Sequence, residues 1–453
     1  MSEFATGQPA PSRLFYQTRK RRPILDRARG IHMWTKDGRR FLDGSSGAMV
    51  CNIGHGDERV LAAMRRQMER STFGYRLHFE TEASEELAIR LCALCPRDMN
   101  RAFLVSGGSE AVESALKLAR SAAVARGEGA RFKVISRFPS YHGGSLGALA
   151  LTGYDPLTAP YAPMMQNMPK IPAPRAWLDG LDESDAATGE HYASMLEKRI
   201  LAEGPDTVLA FVEEPVGGAA TGALVPPEGY PQAVRRICDR YGVLLIHDEV
   251  MSGAGRTGRF LAGEHWGTAP DIVILSKGLG AGYMPLGAML ANDDIVETVL
   301  DAGGFPHGFT YAGNPLACAA GAAVLDVMLA DDMIANAERM GALLRARLEA
   351  LAQRFEFIGD VRGKGLLLAF ELVADRNSRQ PLPATLNAFE RVVELAYEEE
   401  LILYSRRSRG GLEGDHVLVC PPLIVTRQGI DELVEKLTKA LERFADTIPD
   451  IRP

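Results

Sequence analysis

Cysteine is thin in this chain. Six residues, Cys51, Cys92, Cys95, Cys238, Cys318 and Cys420, lie scattered through apolar or helix-like stretches, which excludes the dense pattern of a small disulfide-stapled secreted domain and points to reduced thiols in a cytoplasmic protein. Cys92 and Cys95 form a CxxC, but no second CxxC or histidine pair answers it, so no metal site is expected. Long apolar runs are missing too. No stretch reaches about 18 consecutive apolar residues, which excludes a membrane-spanning helix. An excess of positive charge is also absent: 51 Lys and Arg stand against 58 Asp and Glu, for a formal net charge of -7. Such a surface has no basic footprint for nucleic acid or anionic lipid, and a small-molecule partner is the expectation. Residues 1–13 are polar, with Pro and Gly and no apolar centre, and do not read as a signal peptide. The basic group 19–22 reads as solvated surface or as an arm packed on a partner subunit.

What is present is 453 residues, 46% hydrophobic and 24% charged, more chain than one hydrophobic core serves and of ordinary globular composition. Short β-branched runs alternate with helix-like segments, the pattern of an α/β fold with a mostly parallel sheet covered by helices. Strands are expected at 101–105, 132–136, 208–213, 243–248, 271–276 and 286–291. An amphipathic helix is expected at 109–125, with Val112, Ala115, Leu116 and Ala119 on one stripe. The Pro-rich 164–177 and the acidic, Ala-rich 179–190 read as a long surface excursion. Beyond Asn314-Pro315 the pattern gives helices at 316–329 and 335–354, strands near 357–362 and 366–372, a helix near 386–399, a strand near 416–419 and a helix at 427–445. With a hairpin at 31–42, turning at Lys36-Asp37-Gly38-Arg39, this tail is expected to form a smaller α+β domain. The division expected is an N-terminal segment 1–60 joining the small domain, a large domain 61–325 and a small C-terminal domain 326–453.

The chemistry sits at the ends of the expected strands. Asp271-Ile-Val-Ile-Leu-Ser-Lys277-Gly-Leu-Gly delivers a lysine from a buried-type strand into a glycine-rich turn. Desolvation there favours the neutral amine, which can form an imine with an aldehyde; the plain alternative is a surface lysine closing a strand. Upstream, Leu-Leu-Ile-His247-Asp248-Glu249-Val250 ends another apolar strand in carboxylates, which are costly there unless paired with a cation such as a protonated pyridine nitrogen. A metal cluster or structural salt bridge is the alternative. Ser106-Gly107-Gly108-Ser109-Glu110 leads from a strand into a helix, where free N–H groups and the helix dipole could cradle a phosphate; a tight turn with an N-cap reads the same way. Tyr141-His142-Gly143-Gly144 follows the next strand, and its aromatic ring could stack on a flat cofactor or sit in the core.

The succession Ser-Gly-Gly-Ser-Glu-Ala, Tyr-His-Gly, Glu-Pro, Asp-Glu-Val, Ser-Lys-Gly and Thr-Tyr-Ala-Gly-Asn-Pro resembles the class III, omega-type aminotransferases of fold type I, over nearly the whole chain. The resemblance implies a pyridoxal 5'-phosphate cofactor held by Lys277 as an internal aldimine, with Lys277 moving the proton between substrate and cofactor once released. It implies that Asp248 pairs with the pyridinium nitrogen, that Val250 and Tyr141 pack on opposite faces of the ring, and that Gly108 and Ser109 hold the phosphate. Glu214, of Glu213-Glu214-Pro215, is similar to the family's glutamate near the ring and would support Asp248. Thr310 resembles the threonine that reaches the phosphate of the neighbouring subunit's cofactor, which implies a homodimer with shared sites, with or without pairing of dimers into tetramers.

Two departures bear on substrate. Relatives acting on ornithine or γ-aminobutyrate carry a glutamate that pairs with a mobile arginine, and here Val216-Gly-Gly-Ala219-Ala220 has Ala219 in its place. Arg406 is the first choice for that arginine, a bidentate carboxylate clamp, with Arg407 and Arg409 as alternatives and a solvated basic loop as the plain reading. Met49 stands where several amine transaminases have tryptophan, which implies a more adaptable wall; Tyr16, Phe73 and Tyr75 are read as aromatic lining or as core. The expectation is transfer from an omega-amino acid, diamine or primary amine donor to pyruvate or a similar keto acid. The rivals are an aminomutase or decarboxylating transaminase of the same fold and, from another class, a non-catalytic binding protein.

Overall fold

The computed structural model describes residues 12–96 and 98–448. Residues 1–11 of the expected N-terminal segment, Arg97, and residues 449–453 of the expected C-terminal domain lie outside the described residues. A seven-stranded sheet forms the centre, built from β1 (Arg101–Val105), β2 (Lys133–Phe138), β3 (Lys170–Pro172), β4 (Val208–Glu213), β5 (Leu244–Asp248), β6 (Ile272–Leu275) and β7 (Gly287–Ala291). Their spatial order is β1-β7-β6-β5-β4-β2-β3. From β6 through β5, β4 and β2 to β3 every neighbour is parallel, while β7 is antiparallel to both β6 and β1. Two reversals restore direction, so β1 points the same way as β6. The C-terminal ends of β1, β2, β4, β5 and β6 therefore open at one edge, where ligands of α/β sheets bind.

The sequence accounts for this sheet. Ile272, Val273, Ile274 and Leu275 are each 0% exposed, the continuous apolar run expected of a strand covered on both faces. Helix Gly108–Ala125 lays Ala111, Val112, Ala115, Leu118, Ala119 and Ala122 against it, a stripe at helical spacing. Leu116, expected on that stripe, is only partly buried.

The surface excursion needs correction. Lys170–Pro172 is an edge strand beside β2, and residues 186–190 open the helix Ala186–Glu203, whose Tyr192, Ala193, Leu196 and Ile200 pack into the core. A three-residue strand ending in proline carries too little alternation to be read locally, and the acidic residues just before the helix, with its Ala-Ala-Thr-Gly start, hid an apolar stripe that begins only at Tyr192.

Around the central sheet lie two others. Leu25–Arg29, His32–Thr35 and Arg40–Asp43 form an antiparallel meander, which Leu401–Ile402 extends in parallel beside Arg40–Asp43. The N-terminal hairpin is thus tied to the C-terminal part of the chain. Ile358–Lys364, Leu367–Asp375, Asp415–Val419 and Tyr404–Arg406 make the third sheet, with Gln380–Pro381 on its side. Helices Met333–Arg354, Ala388–Glu398 and Arg427–Ala445 cover it and share a core that includes Leu344, Leu368, Leu395 and Leu437. Among the described residues no helix is long and apolar enough to cross a membrane.

Candidate active site

Loops leaving the common edge of β1, β2, β4, β5 and β6 enclose a cavity of about 150 Å³, lined by Gly108, Ser109, Tyr141, His142, Gly143, Glu214, Asp248, Val250, Met251, Ser276 and Lys277. Seven of the residues named from sequence, Gly108, Ser109, Tyr141, Glu214, Asp248, Val250 and Lys277, meet there although more than 160 positions separate the first from the last.

Lys277 follows β6 and starts a single 3-10 turn, Lys277–Leu279. Its φ of 44° places a non-glycine residue in the left-handed region, a conformation costing on the order of 1 kcal/mol and persisting where the surroundings hold it. Burial lowers the pKa of its amine below the ordinary lysine value, against the opposing pull of Asp248 and Glu214. A larger fraction of neutral, nucleophilic amine results.

Asp248, the last residue of β5, is buried and not left unpaired. Its Oδ2 lies 2.8 Å from His142 Nδ1, and its Oδ1 accepts from the Val250 N–H at 3.1 Å. Glu214 does not touch Asp248 in this way. Its carboxylate accepts from Gly218 N at 2.8 Å and Tyr141 N at 3.3 Å, so it holds two loops of the cavity wall. Burial raises the Glu214 pKa, and the Asp248 charge adds to the effect. Behind it, Arg137 pairs with Glu213 at 3.3 Å and donates to the Glu214 carbonyl.

At the other side, helix Gly108–Ala125 begins with Gly107 as N-cap and no side-chain cap. Its first N–H groups and positive dipole end face the cavity, where a phosphate is favoured. Ser109 Oγ accepts from Gly144 N at 3.0 Å and joins this helix start to the Tyr141–Gly144 loop. A phosphate site, a buried carboxylate and a depressed-pKa amine in one cavity suit a group bearing a phosphate, a basic ring nitrogen and an aldehyde. Pyridoxal phosphate fits that description.

The remaining sequence candidates lie elsewhere. Thr310 is exposed on the chain surface and does not line the cavity. Met49 is buried in an apolar cluster with Met251 and Val216, on which Ala219 and Tyr404 pack, so it backs the wall that Met251 provides. Tyr16 is exposed, with the Arg21 guanidinium over its ring at 4.7 Å. Phe73 packs edge-on against Tyr311, and both are exposed, as is Tyr75. The three arginines differ sharply. Arg407 donates to Leu412 O, Ala384 O and Asn387 Oδ1, and Arg409 to Arg379 O. Among the described residues Arg406 has no ion pair; it lies 4.9 Å over the Tyr404 ring, near enough for its charge to act on cavity-lining Tyr141.

Sequence reasoning gave no role to His142, Met251 or Ser276. For His142 a signal existed, a polar residue just after an apolar strand and before two glycines, but its partner Asp248 is 106 positions away. Away from the cavity, His55 Nε2 lies 3.0 Å from Asp43 Oδ2 and Cys51 is beside them. Burial alone would lower the His55 pKa, yet hydrogen bonds to Asp43 and Cys51 hold it up at about 10, an ion pair fastening strand Arg40–Asp43 to the following turn.

Comparison with known proteins places this geometry in a family. The profile of class III aminotransferases matches residues 16–441. An uncharacterized aminotransferase of Bacillus subtilis is 38% identical over 417 residues, covering 91% of this chain and 93% of that protein. A putrescine–pyruvate aminotransferase of Pseudomonas aeruginosa is 32% identical, covering 94% and 91%. The crystal structure of an (S)-enantioselective omega-transaminase from Thermomicrobium roseum superposes with a TM-score of 0.89 at 36% identity, covering 96% of each chain. The chain belongs to the class III aminotransferases, fold type I enzymes that use pyridoxal phosphate to carry an amino group from an amine donor to a keto acid.

Proposed function

We propose that this aminotransferase takes its amino group from an omega-amino acid, a diamine or a primary amine and delivers it to pyruvate or a similar keto acid. The observation that carries the residue assignment is the convergence of Lys277, Asp248 and the Gly108–Ser109 helix start on one cavity. When bound, pyridoxal phosphate supplies an electron sink for the carbon beside the transferred nitrogen. Lys277 would hold the cofactor, and its amine, once freed by the donor, would carry the proton between the substrate carbon and the cofactor carbon on the other side of the transferred nitrogen. Asp248, held by His142 and the Val250 N–H, keeps the ring nitrogen protonated. Gly108 and Ser109 bind the phosphate, Val250 and Tyr141 flank the ring, and Glu214 keeps the Tyr141 loop in place.

Arg406 is the carboxylate clamp in this reading. Among the described residues its guanidinium makes no side-chain hydrogen bond or ion pair, while those of Arg407 and Arg409 are committed to carbonyls, and Ala219 offers it no competing carboxylate. Donors without a carboxylate then meet an apolar wall formed by Met251 with Met49 behind it, and keto acids meet Arg406. The putrescine specificity in the Pseudomonas relative's name agrees with a terminal-amine donor. Exposed Thr310 and the neighbouring pair Phe73 and Tyr311 belong to a face that completes the site of a second subunit, with Tyr16 on the same assembly, so the working unit is a homodimer. Residues 12–60 and 326–448 form a small domain beside the large domain that starts at residue 61 and ends at residue 325, and the enzyme works in the cytoplasm.

Half-reactions followed by cofactor absorbance, with a panel of diamines, omega-amino acids, primary amines and α-amino acids, test the donor class. Pyruvate and 2-oxoglutarate in competition test the acceptor. Turnover of α-amino acids alone would sink the omega assignment. Carbon dioxide release, or product without a keto acid, would replace it with a decarboxylating transaminase or an aminomutase.

A further inference from the structure

A buried polar network connects the strand carrying Arg406 to the loop at residues 216–222, and nothing in the chemistry above uses it. Strand Tyr404–Arg406 runs antiparallel to Asp415–Val419, with Arg406 directly opposite His416, so the two side chains leave the same face of the sheet. His416 is 0% exposed. Its Nε2 lies 3.0 Å from the Ala219 carbonyl, which can only accept, so Nε2 carries the hydrogen. Its Nδ1 lies 3.0 Å from Ser408 Oγ, itself 2.7 Å from Glu371 Oε1. The other Glu371 oxygen holds Arg362 at 2.6 Å, and Arg362 donates to Gly222 O at 2.7 Å and Thr221 O at 3.1 Å.

The loop is thus gripped at Ala219, Thr221 and Gly222 from the third sheet. Gly222 makes the approach feasible: its φ is +64°, and a Cβ there would lie 2.6 Å from His416 Cγ. On its other side the same loop meets the cavity, where Gly218 N donates to Glu214 Oε1 at 2.8 Å. A Cβ on Gly218 would also come within 2.6 Å of Met251 Sδ. Residues 216–222 therefore stand between the cavity and the Arg406 strand. Burial, with the charges of Arg362 and Arg406, lowers the His416 pKa to about 3. The ring is neutral and its bonding pattern does not change over the working pH range.

A guanidinium that grips a carboxylate helps transfer only if its distance from the reacting carbon is held, since a misplacement of about 1 Å can cost on the order of 100-fold in rate. We propose that His416 is a positioning residue for the keto acid: by tying the Arg406 strand to the Ala219 carbonyl, it sets the reach from the carboxylate clamp to Lys277. The proposal rests on the reading of Arg406 as that clamp.

Four variants of the holoenzyme test it, with two readouts: KM for pyruvate, and the rate of the half-reaction with a monoamine that lacks a carboxylate. Arg406→Ala is expected to raise the pyruvate KM by about 30-fold, the scale of a lost charge-assisted contact. His416→Leu is expected to raise it by about 10-fold while the monoamine half-reaction stays within about two-fold. His416→Gln, whose amide can donate to Ala219 O, is expected to recover to within about three-fold. Ser408→Ala leaves a smaller void and is expected to shift the same KM by about three-fold, which keeps the test open should His416→Leu fail to fold. An unchanged KM in both His416→Leu and Ser408→Ala beside a raised KM in Arg406→Ala overturns the positioning role. So does an equal loss in both readouts without rescue by glutamine, which marks a merely structural residue. An unchanged KM in Arg406→Ala overturns the clamp on which the proposal rests.

Discussion

His142 Nδ1 and Asp248 Oδ2 meet at 2.8 Å, and the opposite nitrogen of the ring, Nε2, is buried with no partner among the described residues. A buried nitrogen without a partner is least costly when it carries no hydrogen. The proton therefore sits on Nδ1 and is donated to Asp248, which fixes both the tautomer of the ring and the aim of the carboxylate.

Replacing His142 by leucine removes a hydrogen bond to a charged group and is expected to lower kcat by about 10- to 100-fold and to weaken cofactor binding. Asparagine can place its amide nitrogen near the position of Nδ1 and is expected to recover part of the loss. Steady-state kinetics with cofactor titration on both variants checks this. Wild-type kinetics in His142→Leu would mean that Asp248 needs no help from the ring.

Lys277→Ala is expected to lower transamination by at least about 1,000-fold and to abolish the absorbance of lysine-attached cofactor. The melting temperature of the cofactor-free protein should be unchanged or higher, since the variant buries no amine. A large drop in melting temperature would instead assign Lys277 a structural duty.

Gly143 has a φ of +139°, and a Cβ there would lie 2.6 Å from Ser109 Oγ and 2.8 Å from Ala148 Cβ. Gly143→Ala must displace Ser109 or strain the backbone, so cofactor affinity is expected to fall by about 10-fold or more. Equilibrium dialysis of pyridoxal phosphate measures it, and unaltered affinity would remove Ser109 from the phosphate site.

Thr310 is exposed on the single chain. If it completes a second subunit's phosphate site, Thr310→Ala leaves a dimer by light scattering while weakening cofactor binding by about 5- to 10-fold, the scale of one hydrogen bond to a charged group. A monomeric holoenzyme with full activity would contradict the shared site.

Glu249 is buried with its side chain turned away from the cavity, accepting from Ser252 Oγ and from Gly263 N at 2.9 Å. Burial raises its pKa from the ordinary 4.5 to about 7. Between those values the folded chain keeps a proton that the unfolded chain has released, so this group's contribution falls as pH rises, by up to about 1.4 kcal/mol per pH unit. The melting temperature of Glu249→Gln, relative to the parent protein, is therefore expected to increase from pH 5 to about pH 7 and to level off above it. His247 and His416, both lowered to about 3 by burial, act with the opposite sign between pH 3 and 6.5, and the comparison with the parent cancels them. A difference that does not vary with pH would show that Glu249 is ionised when folded.

How far the site was readable depended on the distance between partners. Strand β1 was expected at 101–105 and β4 at 208–213, and both occur with those bounds, because a strand between two covering layers is marked by its own apolar residues. Lys277 and Asp248 were visible as polar residues closing such strands. Edge strand Lys170–Pro172 was not, being too short for its pattern to show.

Composition and local pattern by themselves determined the α/β class, the strand ends that carry Lys277, Asp248 and Ser109, and the family these motifs resemble, since each rests on a few adjacent residues whose burial must suit their polarity. Only the tertiary structure decided that His142 serves Asp248, that Glu214 braces a loop, that Arg406 stays uncommitted while Arg407 and Arg409 do not, and that His416 joins two walls. Those are matters of direction and distance between strands far apart in the chain. Hydrogen bonds and ion pairs act over a few ångströms, and chain order does not reveal which distant groups will meet at that range.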